Sequence, residues 1–109
     1  MGGRDSDVRI SLQTLQALEA FLENSSHELA GADVRKRSGL ASGTLYPILL
    51  RLESAGWLVS RWEAIDPVSV GRPRRRLYRL TPSGRGRAVG IFASLSRTAE
   101  MRDRKPPGG

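Results

Sequence analysis

The 109-residue chain contains no cysteine. That removes disulfide frameworks and thiolate metal sites together. Its only histidine, His27, has no cysteine partners and cannot assemble a transition-metal site; it reads as a surface or turn residue. There is no glycine-rich phosphate loop, because Gly84-Arg85-Gly86-Arg87 is too short and too basic to cradle a nucleotide. These absences leave no catalytic set. The expectation is a protein that is not an enzyme and needs no cofactor or metal. No apolar run approaches the length that crosses a bilayer, and no signal peptide is visible at the N-terminus. A cytoplasmic protein with no membrane partner is expected. Acid is also in short supply: 11 Asp and Glu face 18 Lys and Arg, a formal charge of +7 with a pI near 11.2. Such an excess implies a polyanionic partner. Sixteen of the 18 cations are Arg. The guanidinium suits bidentate contact with phosphate and guanine, although a GC-rich coding bias gives the same excess.

What is present is organised around Ser42 to Gly56. Leu45, Ile48, Leu49 and Leu52 fall at the i, i+3, i+4, i+7 spacing of a buried helical stripe. The opposite side carries Gly43, Thr44, Pro47, Arg51 and Ser54. That face is small, polar and flat, as a helix lying close to another surface requires, and the major groove of DNA admits such a helix. Ser42 is the expected N-cap and Gly56 the C-terminal stop. Pro47 removes an early helical hydrogen bond and presses on the Gly43 carbonyl, so a distorted first turn is expected. An ordinary core helix with an awkward proline fits this stretch alone equally well.

The chain before it reads as support. Residues 1–9 are polar and expected to be disordered. Ser11 to Asn24 is a first helix with Leu12, Leu15, Leu18 and Leu22 as its stripe, Phe21 beside it and Ser11 as cap. Glu28 to Ala30 is a very short strand. Gly31 to Ser38 is a second helix, with Val34 inward and Arg35, Lys36 and Arg37 at its end, where cations suit the helix dipole and also DNA phosphates. Gly39 then turns the chain toward Ser42, which makes a helix-turn-helix.

After Gly56 the pattern becomes extended. Trp57 to Glu63 and Arg75 to Leu80 read as two strands, joined by a loop from Ala64 to Arg74 that holds Pro67, Gly71 and Pro73. Between Arg72 and Arg87 there are seven Arg and no acid. A helix-turn-helix followed by a basic hairpin is a winged helix, with arginines that enter a minor groove or ride on phosphates. Trp57 and Trp62 read as packing the wing onto the domain; stacking on an aromatic effector is the alternative. Thr81 caps a last helix with Pro82 at its first position, running to about Met101. Ala88, Phe92, Leu95 and Ala99 are spaced 4-3-4 like a coiled-coil seam. With Leu12 and Leu15 they are the candidate contacts of a homodimer. Residues 102–109 read as a disordered tail.

The expected fold is therefore α+β and mainly helical: a winged helix-turn-helix of three helices plus a β-hairpin wing, with one C-terminal helix for dimerisation. Residues 10–80 would form the winged-helix domain and residues 81–101 the C-terminal helix.

The run Leu40-Ala41-Ser42-Gly43-Thr44-Leu45-Tyr46-Pro47-Ile48-Leu49-Leu50-Arg51-Leu52-Glu53 closely resembles the recognition-helix signature of the PadR-type transcriptional regulators. Gly71-Arg72-Pro73-Arg74-Arg75 and Tyr78-Arg79-Leu80-Thr81-Pro82-Ser83-Gly84-Arg85 fit the same family in the same order. Leu29 and Gly31 sit where it places a short strand and the start of the second helix. The resemblance spans about residues 12 to 99. It implies a homodimeric DNA-binding protein, usually a repressor on a pseudo-palindromic operator. By resemblance, Ser42, Gly43, Thr44, Tyr46 and Pro47 would meet double-stranded DNA, and Gly71, Arg72 and Arg74 would form the wing contact. Arg35, Lys36, Arg51 and Arg75 join them on charge and position. Three departures stand out. Ala32 replaces a frequent aromatic, the wing tip Ile65 to Val70 is long and apolar, and the C-terminal part is short. The last leaves dimer geometry open and weakens the expectation of an effector pocket between subunits; any small-molecule effector is unidentified. Two other readings share parts of the pattern. They are a winged helix serving as a protein–protein module and a sequence-neutral architectural DNA binder.

Overall fold

The structure is a computed structural model that describes residues 8–24 and 28–103. Most of the N-terminal tail, His27 and residues 104–109 lie outside the described residues.

The chain runs α1 (Leu12–Glu23), β1 (Leu29–Ala30), α2 (Gly31–Ser38), α3 (Ser42–Ser54), β2 (Leu58–Trp62), α4 (Pro67–Val70), β3 (Arg76–Leu80) and α5 (Pro82–Asp103). It is the expected mainly helical α+β fold with a small antiparallel sheet. α1 begins at Ser11, whose Oγ accepts the Thr14 N–H at 3.1 Å, satisfying an amide that has no partner within the helix. Its inward face is Thr14, Ala17, Leu18, Ala20 and Phe21. Leu12, expected in that stripe, is 68 % exposed. α2 starts where Asp33 Oδ2 accepts the Ala30 N–H at 3.1 Å and stops at Gly39, in the left-handed region at φ 76°.

α3 departs from expectation at its start. The N-cap is Ala41, with no side-chain cap bond; its carbonyl accepts from Thr44 N at 3.0 Å and Leu45 N at 2.9 Å. Ser42 is the first helical residue and is exposed, rather than closing the turn as its cap. The helix runs unbroken through Pro47. The Gly43 carbonyl, which Pro47 cannot serve as donor, belongs to an exposed residue open to solvent. At the other end Gly56 takes φ 81°. There Trp57 N bonds Leu52 O at 2.9 Å and Gly56 N bonds Glu53 O at 3.0 Å, the paired bonds of a Schellman stop.

β3 lies in the middle of the sheet, in the order β1-β3-β2. Both pairings are antiparallel, with Leu58 opposite Leu80, Trp62 opposite Arg76 and Leu29 opposite Tyr78. The segment expected as a plain loop contains α4. Asp66 caps that turn by accepting the Val68 N–H at 3.1 Å, Pro67 opens it, and Gly71 closes it at φ 79°.

The core is one cluster beneath α3. Leu18, Val34, Leu45, Leu49, Leu52 and Leu58 are essentially inaccessible to solvent, joined by Trp57 and Ala88. Each buried leucine contributes about 1.5–3 kcal/mol relative to an exposed one. α5 starts against this cluster. Thr81 Oγ1 accepts the Gly84 N–H at 2.9 Å and donates to Gly56 O at 2.7 Å. The helix extends to Asp103, so Arg102 and Asp103 are helical where a tail was expected. From residue 93 to residue 102 every position is exposed.

Candidate nucleic-acid interface

α3 is held from below and bare above. Its buried stripe is Leu45, Ile48, Leu49 and Leu52. Ser42, Gly43, Thr44, Tyr46, Pro47, Leu50, Arg51 and Ser54 are exposed. The Arg51 guanidinium makes no ion pair or hydrogen bond among the described residues. Leu50, absent from the sequence-based candidates, is 65 % exposed in the same outer row as Gly43, Pro47 and Ser54. Its register was readable, but a leucine beside three buried neighbours reads as core. Arg35, Lys36 and Arg37 are exposed at the end of α2.

Tyr46 also packs within the domain. A Cβ built on Gly31 would lie 2.6 Å from the Tyr46 hydroxyl and 2.8 Å from its Cε1. The ring thus lies across the start of α2, which glycine alone leaves open. Tyr46 remains 44 % exposed. With Ala30, Gly31, Ala32, Arg75, Arg76 and Tyr78 it lines a cavity of about 180 Å³ between α2, α3 and the wing base. Burial raises the Tyr78 hydroxyl above the ordinary phenol range.

The wing corrects the picture of unopposed arginines. Glu63 stands just before the counted stretch and takes two of them. Arg72 Nη1 and Nη2 donate to its two carboxylate oxygens at 2.6 and 3.1 Å. Arg75 adds its backbone N–H at 2.9 Å and its guanidinium at 3.2 Å. The Glu63 side chain is only 10 % exposed. The Arg72 and Arg75 bonds hold its carboxyl far below the usual range. Arg74 Nε donates to Ile65 O at 2.9 Å. Arg76 reaches Ser60 Oγ at 3.0 Å and Glu53 at 3.9 Å, with its guanidinium 5.2 Å from the Trp62 ring centre. Ser60 Oγ also donates to Glu53, which ties α3 to β2. Arg61 pairs with Glu28 at 2.6 Å. Arg72 and Arg75 therefore close the wing first and face outward only in part. Sequence distance hid Glu63, since nothing local marks a partner nine and twelve residues away.

The two tryptophans part company. Trp57 is buried beneath α5, while Trp62 is 59 % exposed on the wing. The expected packing of both onto the domain holds for Trp57 alone.

Among the candidate dimer residues, Ala88 is fully buried in this chain's own core and cannot also meet a partner. Phe92 is half-buried against that core, and Leu15 is half-buried on α1. Leu12 and Leu95 are exposed at 68 % and 46 %, and Ala99 is exposed. The 4-3-4 seam thus turns from inside to outside along α5. No helix among the described residues is long and apolar enough to cross a membrane.

A family model described as the transcriptional regulator PadR-like family matches residues 16–88. Over 46 residues the chain is 52 % identical to the transcriptional regulator Rv3488 of Mycobacterium tuberculosis, covering 42 % of this chain and 38 % of that protein. The solved structure of smu.1704 from Streptococcus mutans is 29 % identical with a TM-score of 0.68, over 84 % of this chain and 85 % of that one. A PadR family transcription regulator from hypervirulent Clostridium difficile has a TM-score of 0.71 at 19 % identity, over 86 % and 97 % of the two chains. At that identity the likeness is one of fold.

Proposed function

This chain belongs to the PadR-like family of transcriptional regulators, and on that premise we propose that it is a homodimeric repressor that binds a pseudo-palindromic operator with α3 in the major groove. The observation that carries the reading is the two-sided build of α3. One side is locked in the core by four apolar residues. The other is cleared of bulk around Gly43, Thr44 and Pro47 and offers a single uncommitted cation, Arg51, within the helix. Arg51 is the group suited to guanine, and Pro47 and Leu50 suit thymine methyls. Phosphate contacts from Arg35, Lys36, Arg37 and Arg74 supply affinity without sequence choice. Tyr46 and the wing base offer a phosphate position between α2 and β3. The exposed second half of α5, with Leu12 and Leu95, is the surface for a second copy. In a symmetric dimer two α3 helices then sit about 34 Å apart, one turn of DNA.

The test is fluorescence anisotropy of the full chain on the DNA upstream of its own coding region and on a scrambled duplex, over a salt series. The site-specific reading expects the upstream DNA to bind at least about a thousandfold tighter. Equal binding with one steep salt slope favours an architectural binder. Absence of binding at physiological salt favours an interaction module.

A further inference from the structure

We propose that the wing tip is a rigid apolar wedge for the minor groove, with Val68 as the inserted side chain. The inference rests on the DNA-binding reading above and adds how the wing chooses sequence.

The tip is built, not loose. α4 is capped by Asp66 at one end and Gly71 at the other. Asp66 uses both carboxylate oxygens internally, accepting the Val68 N–H at 3.1 Å and the Ser69 hydroxyl at 2.8 Å. Gly71 N and Arg72 N both return to Pro67 O, at 2.8 and 3.2 Å. Below the turn, Glu63 clamps Arg72 and Arg75, and Arg74 Nε holds Ile65 O. This frame projects Val68 at 90 % exposure, with Val70 at 49 % and Trp62 at 59 % close by in sequence or strand. A scattered exposed valine needs no explanation. A valine held 90 % exposed on a doubly capped turn, in a loop whose base carries Arg72, Arg74 and Arg75, has been given a direction.

The charge around it selects the occupant. The loop's two carboxylates, Glu63 and Asp66, have their oxygens occupied by internal donors, while Arg72, Arg74 and Arg75 keep part of their surface in solvent. An exposed apolar side chain on a loop with partly exposed arginines suits a polyanion with a narrow cleft, which describes the minor groove between two phosphate rails. Apolar side chains inserted there partly unstack a base step and bend the duplex. Unstacking is easiest at pyrimidine–purine steps such as TA and CA/TG. The wing therefore demands a deformable step outside each α3 half-site, and does so without a base-edge hydrogen bond.

The experiment is parallel selection from a random duplex pool with the full-length chain and with Val68→Ser, followed by binding to the selected DNA carrying a fluorescent adenine analogue at the flanking step. Val68 lies outside the core, so the variant folds, which circular dichroism checks. The chain should enrich TA or CA/TG at a fixed distance outside each half-site by about tenfold over other steps, and the analogue should brighten on binding. Val68→Ser should keep the half-site and lose both flank preference and brightening. Identical flanks and signals for the two proteins overturn the wedge and leave the tip to a protein partner. If the chain itself enriches no half-site, the DNA reading under Proposed function fails, and the wedge falls with it.

Discussion

Replacing Gly84 by Ala should destabilise the domain, although alanine is the better helix former. Gly84 is buried in the first turn of α5. A methyl group built there would overlap the Trp57 carbonyl oxygen and lie 2.7 Å from both its carbonyl carbon and its Cα. These are backbone atoms, so no rotamer change relieves the clash. The segment is also pinned by Thr81 N to Trp57 O at 3.0 Å. Overpacking costs about 1–3 kcal/mol, and a backbone neighbour places this case at the upper end. The helix preference of Ala over Gly offsets about 0.5–1 kcal/mol. The net loss is about 2 kcal/mol, a fall of roughly 8–16 °C in Tm for a domain of this size. Gly86, two residues on, has nothing within 4 Å of its Cβ position, so Gly86→Ala should gain about 0.5–1 kcal/mol. Thermal melts by circular dichroism at one fixed protein concentration compare the pair, because self-association shifts Tm. A Gly84→Ala protein within about 0.5 kcal/mol of the parent, or a Gly86→Ala protein that drops as far, refutes the reasoning.

Three further perturbations probe the wing and the recognition surface. Glu63 titrates below its unfolded value because Arg72 and Arg75 hold its charge. Its contribution is therefore present above the ordinary carboxylate range near about 4.3 and is lost progressively as pH falls through and below it. The Tm gap between the parent and Glu63→Gln should shrink from pH 7 toward pH 3, and a constant gap would count against the clamp. Gly31→Ala meets only the far end of a flexible Tyr46 side chain. It should leave Tm nearly unchanged while lowering operator affinity about tenfold, one charged hydrogen bond's worth; unaltered affinity would remove Tyr46 from the contact. Arg51→Ala should reduce discrimination by about 1–3 kcal/mol at one base position per half-site. An equal loss on every sequence would make Arg51 a phosphate contact instead.

How much of this was legible in the chain depends on the range of the interaction. Leu45, Ile48, Leu49 and Leu52 announce α3 because helical spacing is local, and all four are buried. Thr81-Pro82 marks the start of α5 for the same reason. The Ser42 cap failed because local chemistry allowed two starting points. The turn from Leu40 gave Ala41 the extended backbone that a cap needs. α4 was missed although Asp66, Pro67 and Gly71 spell a cap, an opening and a stop, since four residues carry no apolar period. The pairing of Arg72 and Arg75 with Glu63, and of Tyr46 with Gly31, depends on tertiary folding that no spacing encodes. The seam of α5 was read as one surface. Ala88 proved to be core because the helix leaves the domain partway along its length.

The central place of β3 also sets the order in which the molecule can assemble. Its pairing with β1 joins residue 78 to residue 29, a closure that cannot form until the intervening chain is positioned. The three N-terminal helices make closer contacts in sequence and can gather first. The strand that completes the sheet arrives late and pairs with β1 over only two residues, against five with β2. The β1–β3 junction is then the part of the sheet that opens most readily, while the five-residue β2–β3 ladder and the Glu63 clamp keep the hairpin itself together. The amide of Leu29, on the two-residue β1 edge, should exchange with solvent faster than those of Leu49 and Leu52; equal protection would mean that the domain opens as one unit. Under the proposed function the wing is thus carried on the last-formed part of the fold, and α3 on the part that gathers first.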